Sequence, residues 1–424
     1  MTRPMTSAPL TPPEQALETL FSARAQRMPE DHLGVAAVLA RATTLRRRRT
    51  AYRSSVALVA ILAAVPLGTD LAHRWSASPS QVASGSVTGS ASPTASTGAH
   101  AAWASTLTGD GAARQIALTI TGLPRGEDLA VPYVTDPTAW RIVPPTGAPI
   151  ALPAVQGRYG APVRVHDGWL VPNYRVDEQS SEIVRVADDG RILGRSVGRA
   201  LAASTDGRTV AFTWDGRLVR ESVLDGSRTT ADFSAGQVSD LAVLDDGTIY
   251  LHDQAGGTVT EYRWRVGEGV ARWPGHGYLR GAWGSDTLLR DTTDVIPCSA
   301  LWAAQSETSQ LRSCARVITA LSPDGRYAWV SGRIAEGRES GAGGIADLVT
   351  GQMVLDLVTP ADAPPQIVGQ VWEDPTHLLL VTTQNARWTV LRLAVDGTLE
   401  LATDVVTGAD TTQFDLGRSL PNTP

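Results

Sequence analysis

The two cysteines, Cys298 and Cys314, are the residues of this sequence with the most distinctive chemistry. Two thiols at this spacing can form a disulfide, or they can remain as two buried free thiols. A zinc site is disfavoured, because the seven histidines are scattered along the chain and supply no ligand spacing with the cysteines. The choice between a disulfide and free thiols depends on the elements that carry the two residues.

Motifs for catalysis are missing from the sequence. It contains no G-x-S-x-G, H-E-x-x-H, P-loop or dinucleotide fingerprint, so we expect no catalytic, metal-binding or cofactor-binding residues. The stretch STDGRTV departs from the sialidase box S-x-D-x-G-x-T-W at Arg208 and Val210. Glycosidase carboxylates come from distant positions in a chain, so an enzyme that acts on envelope glycans stays open as an alternative.

A tight turn built on Asp and Gly recurs along the chain between short apolar runs. Its members are Asp167 with Gly168, Asp206 with Gly207, Asp246 with Gly247, Asp286, Asp324 with Gly325, and Asp374. Their successive spacings are 39, 40, 40, 38 and 50 residues, and the same interval counted backwards reaches Asp128. A period of about 40 residues with short β runs is typical of propeller blades.

Each unit also contains a second turn, between its third and fourth predicted strands. These turns fall at Gly147, Gly190, Gly226, Gly267 to Gly269, Ser306, Gly351 and Gly397. Glycine reaches positive φ without steric cost and Asp hydrogen-bonds its own backbone, so both suit such turns. The pattern predicts an all-β fold, a seven-bladed β-propeller with four strands in each blade.

Cys298 and Cys314 flank the turn near Ser306. If they lie on the third and fourth strands of one blade, their Cα atoms face each other at about 4.5 to 5.5 Å, a distance that a disulfide accepts. Closing a loop of about 15 residues would stabilise the fold by roughly 3 kcal/mol. Two buried free thiols remain the alternative.

The stretch LSPDGRYAWV, followed by IADLVTGQMVLDL, resembles the repeat of TolB-type and WD40-like propellers. In that repeat an S-P-D-G turn precedes an apolar strand and a T-G turn separates the last two strands. The resemblance covers residues 113 to 405, and only the unit around Pro323 keeps the full S-P-D-G. It implies the propeller fold.

An apolar segment follows a block of arginines near the N-terminus. The block comprises Arg46, Arg47, Arg48, Arg49 and Arg53, and residues 54–72 after it are the predicted transmembrane helix. The positive-inside rule places residues 1–53 in the cytoplasm and the propeller outside the cell membrane. A cleaved signal peptide and a buried core helix are the alternatives. The composition of residues 73–112, rich in Ser, Ala, Thr and Gly, predicts a tether. The propeller is predicted over 113–410, with a tail over 411–424.

The first 53 residues predict two short amphipathic helices. Their apolar faces contain Leu17, Leu20 and Phe21, then Val35, Val38 and Leu39. These faces can pair with each other, lie on the membrane, or bind a protein partner.

Charge and composition bear on the kind of partner. The first 53 residues carry nine arginines against four acids within a net charge of −6, so the remainder is acidic and nucleic acid is not expected as its partner. All 37 basic residues are arginine, a bias typical of GC-rich genomes.

The layout is similar to that of actinobacterial single-pass membrane proteins associated with sigma factors. The resemblance implies a cytoplasmic regulator of sigma-factor type as partner of the head. We therefore expect a propeller that binds an envelope ligand or protein. An anchored enzyme and a passive envelope scaffold are the alternatives.

Overall fold

The computed structural model describes residues 102–108, 113–136, 139–155, 157–175, 181–198, 200–233, 238–253, 260–273, 277–291, 298–331, 343–360, 364–408 and 413–417. These residues form 31 strands, and none of them lies in a helix. Strand β1 is Arg114–Ala117, and β2 to β4 are Tyr133–Thr135, Arg141–Val143 and Ile150–Ala151. Strands β5 to β9 are Gly157–Tyr159, Val163–Val165, Gly168–Arg175, Glu182–Val186 and Ile192–Val197. Strands β10 to β13 are Leu201–Ala203, Thr209–Trp214, Arg217–Ser222 and Arg228–Asp232.

The remaining strands, β14 to β31, follow in chain order. Strands β14 to β17 are Val238–Val243, Ile249–Asp253, Thr260–Arg265 and Gly269–Trp273, and β18 to β21 are Tyr278–Trp283, Thr287–Asp291, Ser299–Ala303 and Thr308–Ser313. Strands β22 to β25 are Val317–Leu321, Tyr327–Ser331, Gly343–Asp347 and Gln352–Val358. Strands β26 to β31 are Gln366–Trp372, His377–Gln384, Arg387–Ala394, Leu399–Leu401, Val406–Thr407 and Phe414–Leu416.

Seven sheets follow one another along the chain, and their strands pair antiparallel except β1, which pairs parallel with β25. Blade 1 has the order β31-β2-β3-β4, and blade 2 has β5-β7-β8-β9 with β6 also paired to β7. Blades 3, 4 and 5 are β10 to β13, β14 to β17 and β18 to β21, while blades 6 and 7 start at β22 and β26. The sheets confirm the predicted all-β, seven-bladed β-propeller, in which the first strand of each order is the inner one beside the channel.

The C-terminal strand β31 completes blade 1. It pairs antiparallel with β2, with Tyr133 opposite Leu416 and Thr135 opposite Phe414. The prediction that Asp128 forms the turn of the first unit is therefore wrong. Asp128 precedes β2 and forms an ion pair of 2.6 Å with Arg125. The inner strand of this blade comes from the far end of the chain, so blade 1 has no turn between its first and second strands.

Residues 102–108 and 113–131, which we call the N-terminal strap, run along the outside of blades 5 to 7. Thr106 forms a parallel bridge with Arg312 of β21, and β1 adds to blade 6 by parallel pairing with β25. Leu118 and Ile120 are then fully buried with side chains of blades 6 and 7. Residues 102–108 of the predicted tether thus contact the propeller, and the strap covers three outer edges before the chain enters blade 1.

The core lies in layers between neighbouring blades. The second strands β15 and β19 are buried at every position, because each is covered by a blade on both faces. Burying one Leu, Ile or Phe side chain stabilises a fold by about 1.5–3 kcal/mol relative to leaving it exposed. Trp283, Trp329, Trp372 and Trp388 are all below a tenth exposed, so these indoles belong to the walls between blades.

The Ser-x-Asp-Gly turns are fixed by local hydrogen bonds. In blade 3, the Ser204 hydroxyl donates to Asp206 at 2.6 Å and accepts from the N–H of Thr209 at 3.0 Å. Asp206 also accepts from the N–H of Arg208 at 3.0 Å. The corresponding bonds recur at Ser322 and Asp324 of blade 6. The serine and the aspartate each satisfy an N–H of the turn, which explains why the motif repeats.

Neighbouring turns are also bonded to one another. Asp206 N–H donates to Asp245 at 3.0 Å, and Asp245 N–H donates to the carbonyl of Gly284 at 2.9 Å. Gly284 N–H in turn donates to Thr205 at 3.1 Å. The Trp283 indole donates to the carbonyl of Ser322 at 2.9 Å, which joins blade 5 to blade 6. These bonds fix the turns at one end of the channel.

The structure contains a disulfide between Cys298 and Cys314, with their Cα atoms 4.2 Å apart. Cys298 directly precedes β20 and Cys314 directly follows β21, the third and fourth strands of blade 5. The bond closes the end of this hairpin farthest from its turn. The structure therefore has the disulfide and not the alternative of two free thiols.

Within the described ranges, no helix is long and apolar enough to cross a membrane. The predicted helical head, the arginine block and the predicted span over 54–72 lie outside the residues that the structure describes.

We expect Gly325→Ala to destabilise the protein by more than Gly216→Ala. Both glycines have positive φ, +71° and +75°, so alanine costs about 1–2 kcal/mol at either site. A Cβ at Gly325 would also collide with the Trp283 ring, whereas a Cβ at Gly216 would have no atom within 4 Å among the described residues. We expect a further loss of about 1–3 kcal/mol at Gly325, measured as unfolding free energy in urea. Equal losses at the two sites would show that the packing of Trp283 on this turn contributes nothing.

Candidate functional site

Two buried ion pairs of the propeller join one blade to the next. Arg185 of blade 2 donates to Glu221 of blade 3 at 2.7 Å and also to Asp167. Arg290 of blade 5 donates to Glu261 of blade 4 at 2.6 Å. These arginines have side chains below a tenth exposed, and removal of one partner of such a pair typically costs about 3–5 kcal/mol. Their geometry indicates a structural role.

The pKa shifts agree with this role. Burial raises the pKa of Asp167, but hydrogen bonds and the charge of Arg185 outweigh it, so the net pKa is lowered. The hydrogen bonds from Arg164 are the main cause of the lowered pKa of Asp188. Hydrogen bonding to Glu373 raises the pKa of Arg392. Lowered acid pKa values and raised arginine pKa values keep these pairs charged at neutral pH, so they are unsuited to proton transfer.

A cavity of about 180 Å³ lies in the channel between the inner strands of blades 5, 6 and 7. Its walls are formed by Arg280, Gly281, Ala282, Trp283, Leu289, Thr319, Ala320, Leu321, Gln370, Val371 and Trp372, with Thr205 and Pro323 at the turn end. Trp372 is 4% exposed, and its indole N–H is buried with no hydrogen-bond partner among the described residues. The lining is therefore apolar with a few donors.

The inner strands around this cavity are bulged. The register shifts between Leu279 and Gly281 in β18, between Ile318 and Ala320 in β22, and between Ile367 and Gly369 in β26. Blade 4 has the same irregularity in β14. A bulge leaves one residue unpaired and re-aims its side chain. The unpaired residues are Arg280, Thr319 and Val368, of which Arg280 and Thr319 line the cavity.

The end of the channel opposite the Asp-Gly turns presents exposed side chains of types common in protein interfaces. Tyr278 is 50% exposed and Val368 is 45% exposed, and the Arg280 side chain is 54% exposed. We call Tyr278, Arg280 and Val368 the mouth residues. Arg280 is held by Asp291, because its Nε and Nη2 both lie 2.6 Å from Oδ2 of that carboxylate.

The cavity is suited to recognition. Among the described residues that line it there is no carboxylate, histidine, serine or cysteine, so it offers no acid–base pair and no base that could activate its two threonine hydroxyls. In the described part of the chain, no three His, Cys, Asp or Glu residues are grouped so that they could hold a metal ion. The polar groups of the lining residues include a guanidinium, an amide and two hydroxyls.

The site residues predicted from the sequence do not line this cavity, although Asp206 and Asp324 directly follow Thr205 and Pro323 at its turn end. Asp167, Asp206, Asp246 and Asp324 occupy turns between first and second strands, with Gly168, Gly207, Gly247 and Gly325 beside them. The disulfide lies in the outer half of blade 5. Leu17, Leu20, Phe21, Val35, Val38 and Leu39 fall outside the described residues, as do Arg46 to Arg49 and Arg53.

Sequence reasoning missed the mouth residues. One signal was available, because Gly281 and Gly369 interrupt strands β18 and β26 directly after Arg280 and Val368. A glycine inside a strand pattern often marks a bulge.

Comparison with solved structures finds other β-propellers at low identity. The chain is similar to TolB from Acinetobacter baumannii at 11% identity, covering 71% of this chain and 89% of that one, with a TM-score of 0.39. It is similar to the dihydro-heme d1 dehydrogenase NirN at 15% identity, covering 72% and 78%, with a TM-score of 0.44. It is similar to the propeller domain of Cps50 (Swd1) from Myceliophteria thermophila at 14% identity, covering 63% of this chain and 91% of that one, with a TM-score of 0.37. No family model and no curated protein matches the chain.

Across the ring from blade 5, Asp415 of β31 faces Arg158 of β5. Their closest atoms, Oδ2 and Nη1, are 3.3 Å apart. Burial raises the pKa of the Asp415 carboxyl to about 6, and the charge of Arg158 lowers it only in part. The closing strand therefore carries an acid that titrates in a mildly acidic range.

The raised pKa predicts how Asp415→Asn changes the pH dependence of stability. Between the ordinary pKa of 3.8 and about 6, the folded protein keeps a proton that the unfolded chain has released. The stability contributed by this proton is fully present below 3.8 and is lost as the pH rises through about 6. We therefore expect the unfolding free energy of Asp415→Asn, relative to the wild type, to increase across this window. Urea titrations at several pH values measure the difference, and Asp232→Asn on the exposed edge of blade 3 is the control. A difference that does not vary with pH would contradict the assignment.

Proposed function

We propose that this protein binds a protein partner of the cell envelope through the mouth of its propeller channel. The observation that carries the proposal is the set of bulges in the inner strands β18, β22 and β26, which leaves Arg280, Thr319 and Val368 outside the strand pairing. Arg280 and Thr319 line the cavity, and Arg280 and Val368 are exposed. β-Bulges occur often next to functional sites. The bulges here point to the mouth as the binding surface.

The composition and size of the site support a protein as the partner. Tyr and Arg dominate the binding energy of many protein interfaces, and the mouth presents one of each. Pockets for drug-sized ligands usually enclose about 300–1,000 Å³. The channel cavity, at about 180 Å³, is smaller than this range. A protein that covers the mouth and inserts one residue fits these dimensions better than a drug-sized free ligand.

We further propose that the propeller is carried outside the cell membrane by residues 54–72 as a single span. The arginines at 46 to 49 and 53 support a cytoplasmic N-terminus, and the composition of residues 73–101 supports a tether. Such an arrangement would present the propeller to other envelope proteins. The strap would then connect the tether to blades 5 and 6.

The apolar faces of the head support a second proposed contact, with a cytoplasmic regulator of sigma-factor type. Leu17, Leu20 and Phe21 on one predicted helix, and Val35, Val38 and Leu39 on the next, have no large domain to cover them. The head would pass the binding state of the propeller to that regulator.

Photo-crosslinking in cells tests the mouth. A benzophenone amino acid placed at Tyr278 of the full-length protein should capture a partner that the same probe at Leu224 does not capture. Leu224 is a suitable control because it is 62% exposed and lies in the turn between β12 and β13, at the opposite end of the ring. Arg280→Ala should lower the Tyr278 crosslink at least fivefold, while Arg217→Ala, at an exposed ion pair of blade 3, should leave it unchanged. Identical products from both probe positions would argue against the mouth as the binding surface.

Deletion of Met1 to Ala40 tests the head independently. The deletion keeps the arginine block, so the proposed topology is retained. Crosslinking and pull-down should recover a cytoplasmic regulator with the full-length protein and lose it with the shortened protein, while envelope partners persist in both. Recovery of the same envelope proteins, and of no cytoplasmic protein, from both versions would remove the support for signalling through the head.

A further inference from the structure

We propose that a second cavity of the propeller, away from the mouth, binds one pyranose ring of a carbohydrate. The inference goes beyond the proposed function and does not depend on it. The cavity lies beside the turn between β18 and β19, at the end of blade 5 opposite the mouth residues Tyr278 and Arg280.

This cavity has a volume of about 350 Å³ and lies between the N-terminal strap and blade 5, so we call it the strap cavity. Its lining includes Trp103 of the strap and, from blade 5, Trp283, Ser285, Asp286, Thr287 and Gln310. Pockets for small ligands usually enclose about 300–1,000 Å³. The strap cavity is at the lower end of this range, which suits a single sugar ring.

The pairing of blade 5 brings the lining residues together. Trp283 is opposite Thr287 in the ladder between β18 and β19, so their side chains lie on the same face of the blade. Trp103 packs against Trp283, with ring centroids 5.9 Å apart. The Asp286 carboxylate accepts a hydrogen bond of 2.8 Å from the N–H of Gln305, which places it beside the turn between β20 and β21. An indole of the strap thus lies against the part of blade 5 that carries the polar side chains.

A bulge directs the side chain of Gln310. The register between β20 and β21 shifts at this residue, which is left without a partner in the ladder. The fourth strands of blades 2 and 6 have the same irregularity, at Leu193 and Val354, and both of those residues are partly buried. Gln310 is instead exposed and lines the strap cavity. An amide at a position that is aliphatic in two other blades favours a role in binding.

The indoles offer a ring face to a ligand, because their N–H groups are used inside the protein. Trp103 donates to the carbonyl of Gly325 at 2.9 Å, and Trp283 donates to the carbonyl of Ser322 at 2.9 Å. These bonds hold both rings in place, and Trp103 is only partly buried. The face of an aromatic ring is electron-rich and attracts the C–H groups on one side of a pyranose.

The polar side chains match the hydroxyl groups of a sugar. A hydroxyl and an amide both donate and accept, as Ser285 and Gln310 can, and a carboxylate has lone pairs for about four hydrogen bonds. Asp286 uses Oδ1 for Gln305, so its carboxylate keeps capacity for a sugar hydroxyl. Sugar hydroxyls also donate and accept, so each can pair with one of these groups.

Other ligand classes fit the lining less well. An anion would be repelled by Asp286, which is the only charged residue among those that line the strap cavity. Aromatic residues that recognise a cation surround it with their faces, but Trp103 and Trp283 pack against each other and cannot enclose one. A purely apolar ligand would cover the polar groups of Ser285 and Gln310 without bonding them, which is unfavourable.

Fluorine NMR of the full-length protein labelled with 5-fluorotryptophan tests the proposal. The probes are the methyl glycosides of glucose, galactose, mannose and N-acetylglucosamine, and the comparison compounds are cyclohexanol and tetramethylammonium. Trp103→Phe identifies the resonance of the strap indole, and Trp169→Phe identifies a reference indole that is buried in blade 2. We expect at least one glycoside to shift the Trp103 resonance, with saturation in the millimolar range, and to leave the Trp169 resonance unmoved.

Disaccharides that end in the sugar that binds then distinguish two sources of the ring. Disaccharides that bind as tightly as the monosaccharide support the end of a glycan as the ligand, whereas disaccharides that are excluded support a free sugar.

Substitution at Gln310 separates a binding role from a structural one. Gln310→Leu introduces the residue type that blade 2 has at Leu193, so the bulge should be kept. Loss of the amide should weaken the glycoside about fivefold, the effect of one hydrogen bond, and Ser285→Ala should have a similar effect. Gln352→Leu, at an exposed glutamine of β25 outside the lining, is the matched control and should leave binding unchanged. Urea unfolding reports whether each variant keeps the stability of the wild type.

Several results would overturn the inference. They are a Trp103 resonance that responds to none of the glycosides, equal responses to cyclohexanol and the glycosides, or tighter binding of tetramethylammonium. Glycoside binding that is unchanged in both Gln310→Leu and Ser285→Ala would also contradict it, because the ring would then be held without the polar groups of blade 5.

Discussion

Closure of the ring by β31 is the constraint on which the rest of the propeller depends. Each blade buries side chains on both faces, so every blade needs a neighbour, and an open row of blades would leave the first and last faces in water. The closing contact is short, with Tyr133, Val134 and Thr135 paired to Leu416, Asp415 and Phe414. The strap adds a second brace, because it buries Leu118 and Ile120 with blades 6 and 7. The two chain ends therefore stabilise the ring at different places.

Arginine forms the buried ion pairs of the propeller, both between blades and within one blade. Lysine does not occur in this chain, and the planar guanidinium can bond two carboxylates at once, which an ammonium group does with less geometric specificity. Arg185 and Arg392 use this capacity inside the protein, where Glu221 and Glu373 have side chains at most 5% exposed. Fully satisfied charge networks of this kind tolerate burial, whereas loss of one partner leaves an uncompensated charge. Arg280 has the same chemistry but stands where the ring opens to solvent.

The two ends of the channel differ for a physical reason. At the turn end, hydrogen bonds join Asp206, Asp245, Gly284 and Thr205 of three blades into one connected set. At the mouth end, the bulged inner strands release side chains from the regular alternation. The rigid end positions the strands, and the irregular end displays Tyr278, Arg280 and Val368. This division is typical of functional sites carried on a stable scaffold.

The sequence by itself determined the features that depend on nearby residues. A turn such as Ser204 to Thr209 is held by bonds that span two to five positions, so Asp-containing turns recur from blade to blade and reveal the repeat. The spacing of one hairpin also favoured the pairing of Cys298 with Cys314, although the structure was needed to decide between a disulfide and two free thiols. Tertiary structure alone decided that β31 replaces the expected first strand of blade 1, that the strap crosses blades 5 to 7, and that Arg280 and Trp372 share a cavity. Those contacts join residues from different blades or from opposite ends of the chain, and no local pattern encodes them, because they form only when the ring closes.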